Sequence, residues 1–153
     1  MSESLLDSPY AEAERKRHPV RDVACIVLRD PEGRYLFIRT YKFPDVWGWL
    51  GGGREPQDES LQDTAVRELF EESGMVITKD ELKPFFQTDF DFGKRVIEFF
   101  LVTLATRPDL AFNQEIVEHR WLTVREATSL PMYPASRKCF THLQHQEESH
   151  QIV

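Results

Sequence analysis

The segment that most constrains how this chain folds is GGGREPQDESLQDTAVRELFEESGM, residues 51–75. It begins with three glycines, and beyond Ser60 the apolar residues recur at the spacing of an amphipathic helix. Ser60 is a good N-cap residue, and Gly74 is placed to end the helix in a left-handed turn. The segment therefore predicts a glycine-rich loop followed by a helix from about Ser60 to Ser73.

The predicted helix carries a concentration of acidic side chains on one side. At about 100° per residue, Glu68, Glu71 and Glu72 share an arc of about 100°. The opposite side is predicted to be buried and carries three apolar residues, Val66, Leu69 and Phe70. Acidic neighbours repel each other, so two interpretations are open: a solvated acidic face, or a site for a hard cation such as Mg²⁺ or Mn²⁺.

The spacing around the helix favours the cation site. Gly53 is followed after five residues by Glu59, and after seven more by the run RELFEESGM, residues 67–75. This pattern resembles the Nudix box, G-x5-E-x7-R-E-U-x-E-E-x-G-U with U apolar, at every specified position. At average residue usage, a chance match in a chain of this length is on the order of 10⁻⁷. The chain is thus similar to members of the Nudix (MutT-like) hydrolase family.

The resemblance implies an α/β fold, in which an α/β/α sandwich is built around a mixed β-sheet. The rest of the sequence agrees with it, because apolar and turn patterns predict a hairpin over 21–40, a second hairpin over 85–104 and a strand over 118–124. Two helices are predicted over 124–130 and 135–146. Strands and helices do not alternate regularly, which argues against a doubly wound parallel sheet.

Nudix enzymes hydrolyse a nucleoside diphosphate linked to another group, with the help of a divalent metal. The resemblance therefore implies a pyrophosphohydrolase that depends on Mg²⁺ or Mn²⁺ and cleaves a nucleoside triphosphate or related derivative by water attack. A non-catalytic domain that senses a nucleotide is the alternative. A third, isomerase-like reading needs a positioned cysteine, and neither Cys25 nor Cys139 lies in a matching motif.

The resemblance also assigns roles to single residues of the box. Glu71 and Glu72 would coordinate metal, and Glu68 would either do the same or orient and deprotonate the attacking water. The Gly52 carbonyl would add one oxygen ligand. Arg67, four residues before Glu71, would hold a carboxylate through a charge-assisted hydrogen bond. Three further residues would support the site, namely Gly53, Glu59 and Gly74.

One more acid is expected outside the box, on a loop before a late strand that ends in Trp. In NQEIVEHRW, residues 113–121, Glu115 lies six residues before Trp121. This spacing resembles that of the additional metal-binding or base residue of MutT-like members. The sequence favours Glu115 and leaves Glu118 and Glu98 open as alternatives.

Substrate contacts are expected from residues near the box. Aromatic rings stack on nucleobases and arginines meet phosphates, which indicates four residues: Arg39, Tyr41, Trp47 and Arg54. Three positions depart from common family patterns. Gly51 replaces a proline, which predicts a less pre-organised loop, and Asp58 replaces a glycine. Ser136 replaces the Asn that reads oxidised purines in MutT-like enzymes, so that specificity is not expected.

Composition limits the partners and the compartment. The formal net charge is -7, which argues against unaided binding of anionic membranes or nucleic acid, other than the 5′-triphosphate end of an RNA. We expect a cytoplasmic protein with a nucleotide-type substrate, because the N-terminal sequence has no secretory pattern. Residues 1–18 are predicted to form an arm or short helix before a domain at 19–153, and many Nudix proteins are homodimers.

Overall fold

The computed structural model describes residues 10–17, 21–90 and 93–150. The strands are, in chain order, β1 (Val23–Arg29), β2 (Tyr35–Thr40), β3 (Leu50–Gly53), β4 (Lys83–Phe90), β5 (Arg95–Thr103) and β6 (Ile116–Leu122). The helices are α1 (Ala11–Arg17), α2 (Leu61–Ser73), α3 (Val124–Ala127) and α4 (Pro134–Glu148), with a 3-10 turn at Lys79–Glu81. None of the helices in these described ranges is long and apolar enough to cross a membrane.

The strands form one mixed sheet. Its order is β4-β5-β1-β2-β6, and β3 pairs with the first half of β1. Strand β1 runs parallel to β5 and antiparallel to β2 and β3. The β1–β2 pair and the antiparallel β4–β5 pair confirm the two predicted hairpins. The late strand, predicted over 118–124, begins two residues earlier.

Helices cover both faces of this sheet, which is why β1 is almost fully buried rather than alternating. One face packs α2 onto the central strands through a cluster that includes Ala24, Ile26, Ala65 and Leu69. The other face packs α4 through a cluster that includes Cys25, Val27, Cys139, Phe140 and Leu143. The predicted α/β/α sandwich around a mixed sheet is therefore confirmed.

Helix α2 begins and ends where the sequence predicts. The Ser60 side chain accepts a hydrogen bond from the Asp63 N–H, and Gly74 adopts a left-handed φ of 76°. The burial prediction was wrong for Phe70, which is 55% exposed. The buried side of α2 is turned toward Glu72, because strand β3 and the loop before β6 both bond to that side of the helix.

Residues 51–53 are not the loop that the sequence predicts, because they belong to strand β3 and pair with β1. A Cβ at Gly51 would lie 2.3 Å from the carbonyl oxygen of Ala24, so only glycine allows this close approach. The Gly51 N–H also donates to Glu72 Oε1 at 2.7 Å, a bond that a proline could not make. The prediction of a less pre-organised segment was wrong, since strand pairing holds Gly51 in place.

Helix α1 is fixed to the domain at the start of α4. Ala11 and Glu14 are buried, and a Glu14 carboxylate oxygen accepts a hydrogen bond from the Ala135 N–H at 3.0 Å. Tyr133, the N-cap of α4, has no short polar side chain for this purpose, so Glu14 supplies a charged acceptor to the helix start. Residues 1–9 and 18–20 of the predicted arm and linker lie outside the described residues.

Candidate active site

Arg67 is the centre of a charged cluster that joins α2 to β3. Its guanidinium forms a bidentate pair with Asp58, with Nη2–Oδ2 and Nε–Oδ1 distances of 2.8 and 3.1 Å. Nη2 also donates to the Gly53 carbonyl at 3.0 Å. Nη1 donates to Glu68 at 3.0 Å and to Glu71 at 3.2 Å. The bond to Asp58 is the largest of several that raise the pKa of Arg67, so its charge is permanent.

The three glutamates of α2 differ in exposure. Glu72 is 4% exposed and accepts from the Gly51 N–H, whereas the side chains of Glu68 and Glu71 are 15% and 50% exposed. If these residues formed only a solvated acidic face, all three would be exposed. Their exposed fraction instead increases from Glu72 through Glu68 to Glu71, which places the acids along the space between α2 and β3.

Glu68 lies directly over the backbone of β3. A Cβ at Gly52 would fall 2.3 Å from the Glu68 carboxyl carbon, so the missing side chain of Gly52 makes room for this carboxylate. Burial raises the pKa of Glu68, Arg67 opposes the shift, and Glu71 and Glu115 add to it. A carboxylate with a raised pKa gains from a nearby cation and is a better proton acceptor than an exposed one.

The loop before β6 crosses the C-terminal end of α2 and brings Glu115 to this cluster. The Asn113 N–H donates to the Glu72 carbonyl at 3.0 Å, and the Asn113 side-chain amide donates to the Glu71 carbonyl at 3.3 Å. Asn113 Oδ1 in turn accepts from the Glu115 N–H at 2.9 Å. Glu115 is therefore close enough to Glu68 to help raise its pKa.

The two alternative acids have different surroundings. Glu118 accepts hydrogen bonds from Arg39 at 2.7 Å and from Arg120 at 2.8 Å, and these bonds lower its pKa. Glu98 lies on β5 in register with Ala24, which is itself in register with Gly52. Burial raises the pKa of Glu98. Glu98 is thus separated from Gly52 by strand β1, and Glu118 is engaged by two arginines.

The donor atoms of the cluster suit a hard cation. They are carboxylate oxygens beside the backbone of β3, and oxygen is the ligand atom that Mg²⁺ and Mn²⁺ prefer. No three Asp, Glu, His or Cys side chains in the described part of the chain converge as a ready-made metal site. Nη1 of Arg67 lies against both Glu68 and Glu71, so metal binding by these two acids requires their side chains to move.

The predicted substrate residues occupy different environments. Tyr41 is 56% exposed, its N–H donates to the Glu115 carbonyl at 3.0 Å, and it lines a pocket of about 120 Å³ beside Glu115. Arg54 lies at the other end of the cluster, where it donates to the carbonyls of Asp58 and Glu59 at 3.1 and 2.9 Å. The structure therefore places Tyr41 and Arg54 at the edges of the acidic cluster.

Arg39 and Trp47 pack against other protein groups. Trp47 is 6% exposed and belongs to the core, with the guanidinium carbon of Arg39 5.8 Å from its ring centroid. Arg39 also forms the ion pair with Glu118. Both residues therefore contact other protein groups rather than lining the pocket beside Glu115.

Sequence reasoning missed Asp58 and Asn113. Asp58 is buried, holds Arg67, and accepts from the Thr64 hydroxyl at 2.9 Å. The bond to Arg67 lowers the pKa of Asp58 to about 2. Glu59, predicted as the support, is exposed and uses its backbone to bond Asp63 and Arg54. The only sequence feature that pointed to Asp58 was that it replaces a glycine directly before Glu59, the first Glu of the box.

Comparison with known proteins supports one family. A family model for the NUDIX domain matches residues 18–143. The nucleoside triphosphatase NudI of Enterobacter sp. (strain 638) is 27% identical over 135 residues, which cover 79% of this chain and 94% of that protein. Mouse diphosphoinositol polyphosphate phosphohydrolase 3-alpha is 30% identical over 106 residues, covering 68% of this chain and 64% of that longer protein.

The structural comparison agrees. A Caenorhabditis elegans Ap4A hydrolase in a binary complex superposes with a TM-score of 0.67 at 18% identity, covering 84% of this chain and 99% of that one. At this identity the likeness shows the fold alone, and the family assignment comes from the sequence match. The chain therefore belongs to the Nudix hydrolase family, whose members are pyrophosphohydrolases that act on phosphorus-containing anhydrides.

Proposed function

We propose that this chain uses Mg²⁺ or Mn²⁺ to hydrolyse the diphosphate bond of a nucleoside triphosphate or another nucleoside diphosphate derivative by water attack. The observation that carries the proposal is the graded set of acids on α2, which faces the backbone of β3 and lies close to Glu115 on the loop before β6. The similarity to a nucleoside triphosphatase supports a triphosphate as the substrate class.

The acids are proposed to have different roles, which follow from their surroundings. Glu72, Glu71 and Glu115 would hold the cation together with the Gly52 carbonyl. Glu68 would either join them or orient the attacking water and accept its proton, a role that suits its raised pKa. A bound divalent cation would neutralise phosphate oxygens and lower the pKa of water.

Arg67 is proposed as a positioning residue. Its bonds to Asp58 and Gly53 fix the guanidinium on β3 and on the loop before α2, and its remaining nitrogen holds Glu68 and Glu71. Until a cation draws Glu68 and Glu71 away from Nη1, this nitrogen keeps both carboxylates at the site, which lowers the entropic cost of assembling the reacting groups.

On the substrate side, Tyr41 is proposed to stack on the nucleobase and Arg54 to meet a phosphate, since both lie at the borders of the cluster. Arg39 and Trp47 would act indirectly, by supporting the end of β2, which leads into Tyr41. A cytoplasmic location and a homodimeric state stay predictions from the sequence. Cell fractionation and light scattering test them.

The function is tested with a substrate panel in the presence of Mg²⁺ or Mn²⁺, with detection of released phosphate and pyrophosphate. The panel includes canonical and oxidised nucleoside triphosphates, nucleotide sugars, ADP-ribose, dinucleoside polyphosphates and 5′-triphosphorylated RNA. Wild-type protein is expected to turn over at least one class, and Glu72→Gln to lose about 10²-fold or more in kcat.

Glu72→Gln is a matched variant, because its amide oxygen can still accept from the Gly51 N–H and preserve the fold. Glu81→Gln, on the exposed 3-10 turn, serves as the control with wild-type turnover. A fully active Glu72→Gln variant would sink the proposal. Tight nucleotide binding by the wild type with no turnover would favour the sensing alternative.

A further inference from the structure

The pocket beside Glu115 is not made by the family domain alone. It is lined by Lys16, Thr40, Tyr41, Lys42, Phe43 and Glu115. Lys16 belongs to α1, which precedes the residues 18–143 matched by the family model. We propose that α1 is a substrate-binding element, in which Lys16 and Lys42 together bind a phosphate group that lies outside the hydrolysed bond. This inference rests on the proposed hydrolase function.

Helix α1 is held firmly enough to contribute to a binding site. Ala11 is 6% exposed, and Glu14 accepts a hydrogen bond from the Ala135 N–H, the first backbone N–H of α4. A carboxylate at a helix N-terminus is stabilised both by the hydrogen bond and by the helix dipole. Lys16 is therefore presented from a docked helix rather than from a free arm.

Lys16 is available to a ligand. Its ammonium group is 3.2 Å from Glu12, but the two side chains are 66% and 68% exposed. An ion pair this exposed contributes little, so exchanging Glu12 for a phosphate costs little. Lys42 is exposed as well and lies 5.9 Å from the centroid of the Tyr41 ring.

The size and charge of the pocket indicate what it binds. Its volume of about 120 Å³ is well below the roughly 300–1,000 Å³ of pockets that hold a whole drug-sized ligand. It therefore suits one group of a larger substrate. Two lysines and one glutamate line the pocket, and that glutamate, Glu115, is assigned to the cation. A phosphate is the group that satisfies both ammonium groups and the nearby cation.

The probe for this site is inorganic tripolyphosphate compared with pyrophosphate, measured by isothermal titration calorimetry on the full chain with Ca²⁺ in place of Mg²⁺ to limit turnover. We expect the wild type to bind tripolyphosphate more tightly, because only the longer anion extends from the acids of α2 to Lys16 and Lys42. Lys16→Gln and Lys42→Gln should each weaken tripolyphosphate binding by about tenfold, the loss of one charge-assisted hydrogen bond.

Lys83→Gln, which removes an exposed lysine of β4, is the charge-matched control and should bind both anions as the wild type does. Pyrophosphate binding should change by less than about twofold in Lys16→Gln, because that anion stays at the acids of α2. Equal effects of Lys16→Gln, Lys42→Gln and Lys83→Gln, or no preference of the wild type for tripolyphosphate, would overturn the inference.

Kinetics separate this inference from the proposed function. With a nucleoside triphosphate substrate, Lys16→Gln should raise KM and leave kcat unchanged, whereas Glu72→Gln should abolish kcat. If Lys16→Gln has an unchanged KM and Glu72→Gln is inactive, the phosphate site is contradicted and the proposed function is not. An active Glu72→Gln would defeat the proposed function, whatever the lysine variants do.

Discussion

The acidic cluster of α2 and the pocket beside Glu115 are neighbours that are built in different ways. Apart from Glu115, the cluster comes from one continuous stretch, residues 51–74, and Arg67 links β3, the following loop and α2 by hydrogen bonds. The pocket gathers residues 16, 40–43 and 115 from three separate segments. The cluster is thus locally encoded, while the pocket depends on tertiary assembly. We expect changes in the cluster to act on kcat, and changes in the pocket to act on KM.

The largest expected effect comes from Gly52→Ala in the cluster. The new Cβ would lie 2.3 Å from the Glu68 carboxyl carbon and would push that carboxylate aside. Because the end of a flexible side chain can move, the fold should persist while kcat falls by about 10²-fold or more. Steady-state kinetics and a thermal melt on the same sample measure both quantities.

Gly51→Ala should be compared with Gly52→Ala. Its Cβ would meet backbone atoms, the Ala24 carbonyl oxygen at 2.3 Å and the Cys25 Cα at 2.7 Å. Backbone of a central strand cannot yield as a side chain does, so this variant should lose stability as well as activity. A Gly52→Ala variant that keeps full kcat would show that Glu68 does not need its place over β3.

A smaller effect is expected from Asp58→Asn, because Asp58 anchors Arg67. The folded-state pKa of Asp58 is about 2, below its ordinary value of 3.8, so its contribution to stability is present above about pH 4 and is lost as pH falls toward 2. The wild type should exceed the variant by about 2 kcal/mol at pH 7. Urea unfolding between pH 7 and pH 3 should show that difference shrinking below pH 4, and a difference constant with pH would contradict it.

Glu14→Ala tests the assembly of the pocket. Loss of the carboxylate at the start of α4 should cost about 1 kcal/mol of unfolding free energy. It should also raise KM several-fold at unchanged kcat, because α1 carries Lys16. Glu14→Gln retains an acceptor and should fall between the wild type and Glu14→Ala. Equal KM values in all three proteins would separate α1 from substrate binding.

The smallest effect is expected from Glu118→Gln. Glu118 is bound by Arg39 and Arg120 at the surface, so its loss should change stability little and kcat by less than about twofold. Glu115→Gln should lower kcat by about tenfold or more. The reverse ranking in a side-by-side assay would identify Glu118 as the additional acid.

The same contrast explains what the sequence could predict. Helical periodicity placed Glu68, Glu71 and Glu72 on one arc, and capping chemistry placed both ends of α2, because these are local properties. Periodicity cannot tell which side of the acidic arc another segment will cover. The sequence therefore predicted a buried Phe70 and did not predict that Glu72 would be buried.

Contacts between residues that are distant in sequence could not be predicted, for a related reason. The Asp58–Arg67 pair spans nine positions and requires the loop before α2 to fold back. Lys16 reaches the pocket beside Glu115 through the docking of α1 on α4. The pairing of residues 51–53 with β1 was hidden because glycine has low strand propensity, although close backbone approach requires it there.

The central claim is that the acids of α2 form a divalent-cation site. Titration of Mn²⁺ followed by electron paramagnetic resonance tests it without any substrate, using wild type, Glu72→Gln and the exposed control Glu81→Gln. Wild type and Glu81→Gln should bind Mn²⁺ alike, and Glu72→Gln should bind at least about tenfold more weakly. Mn²⁺ binding by Glu72→Gln that equals the wild type would contradict the account.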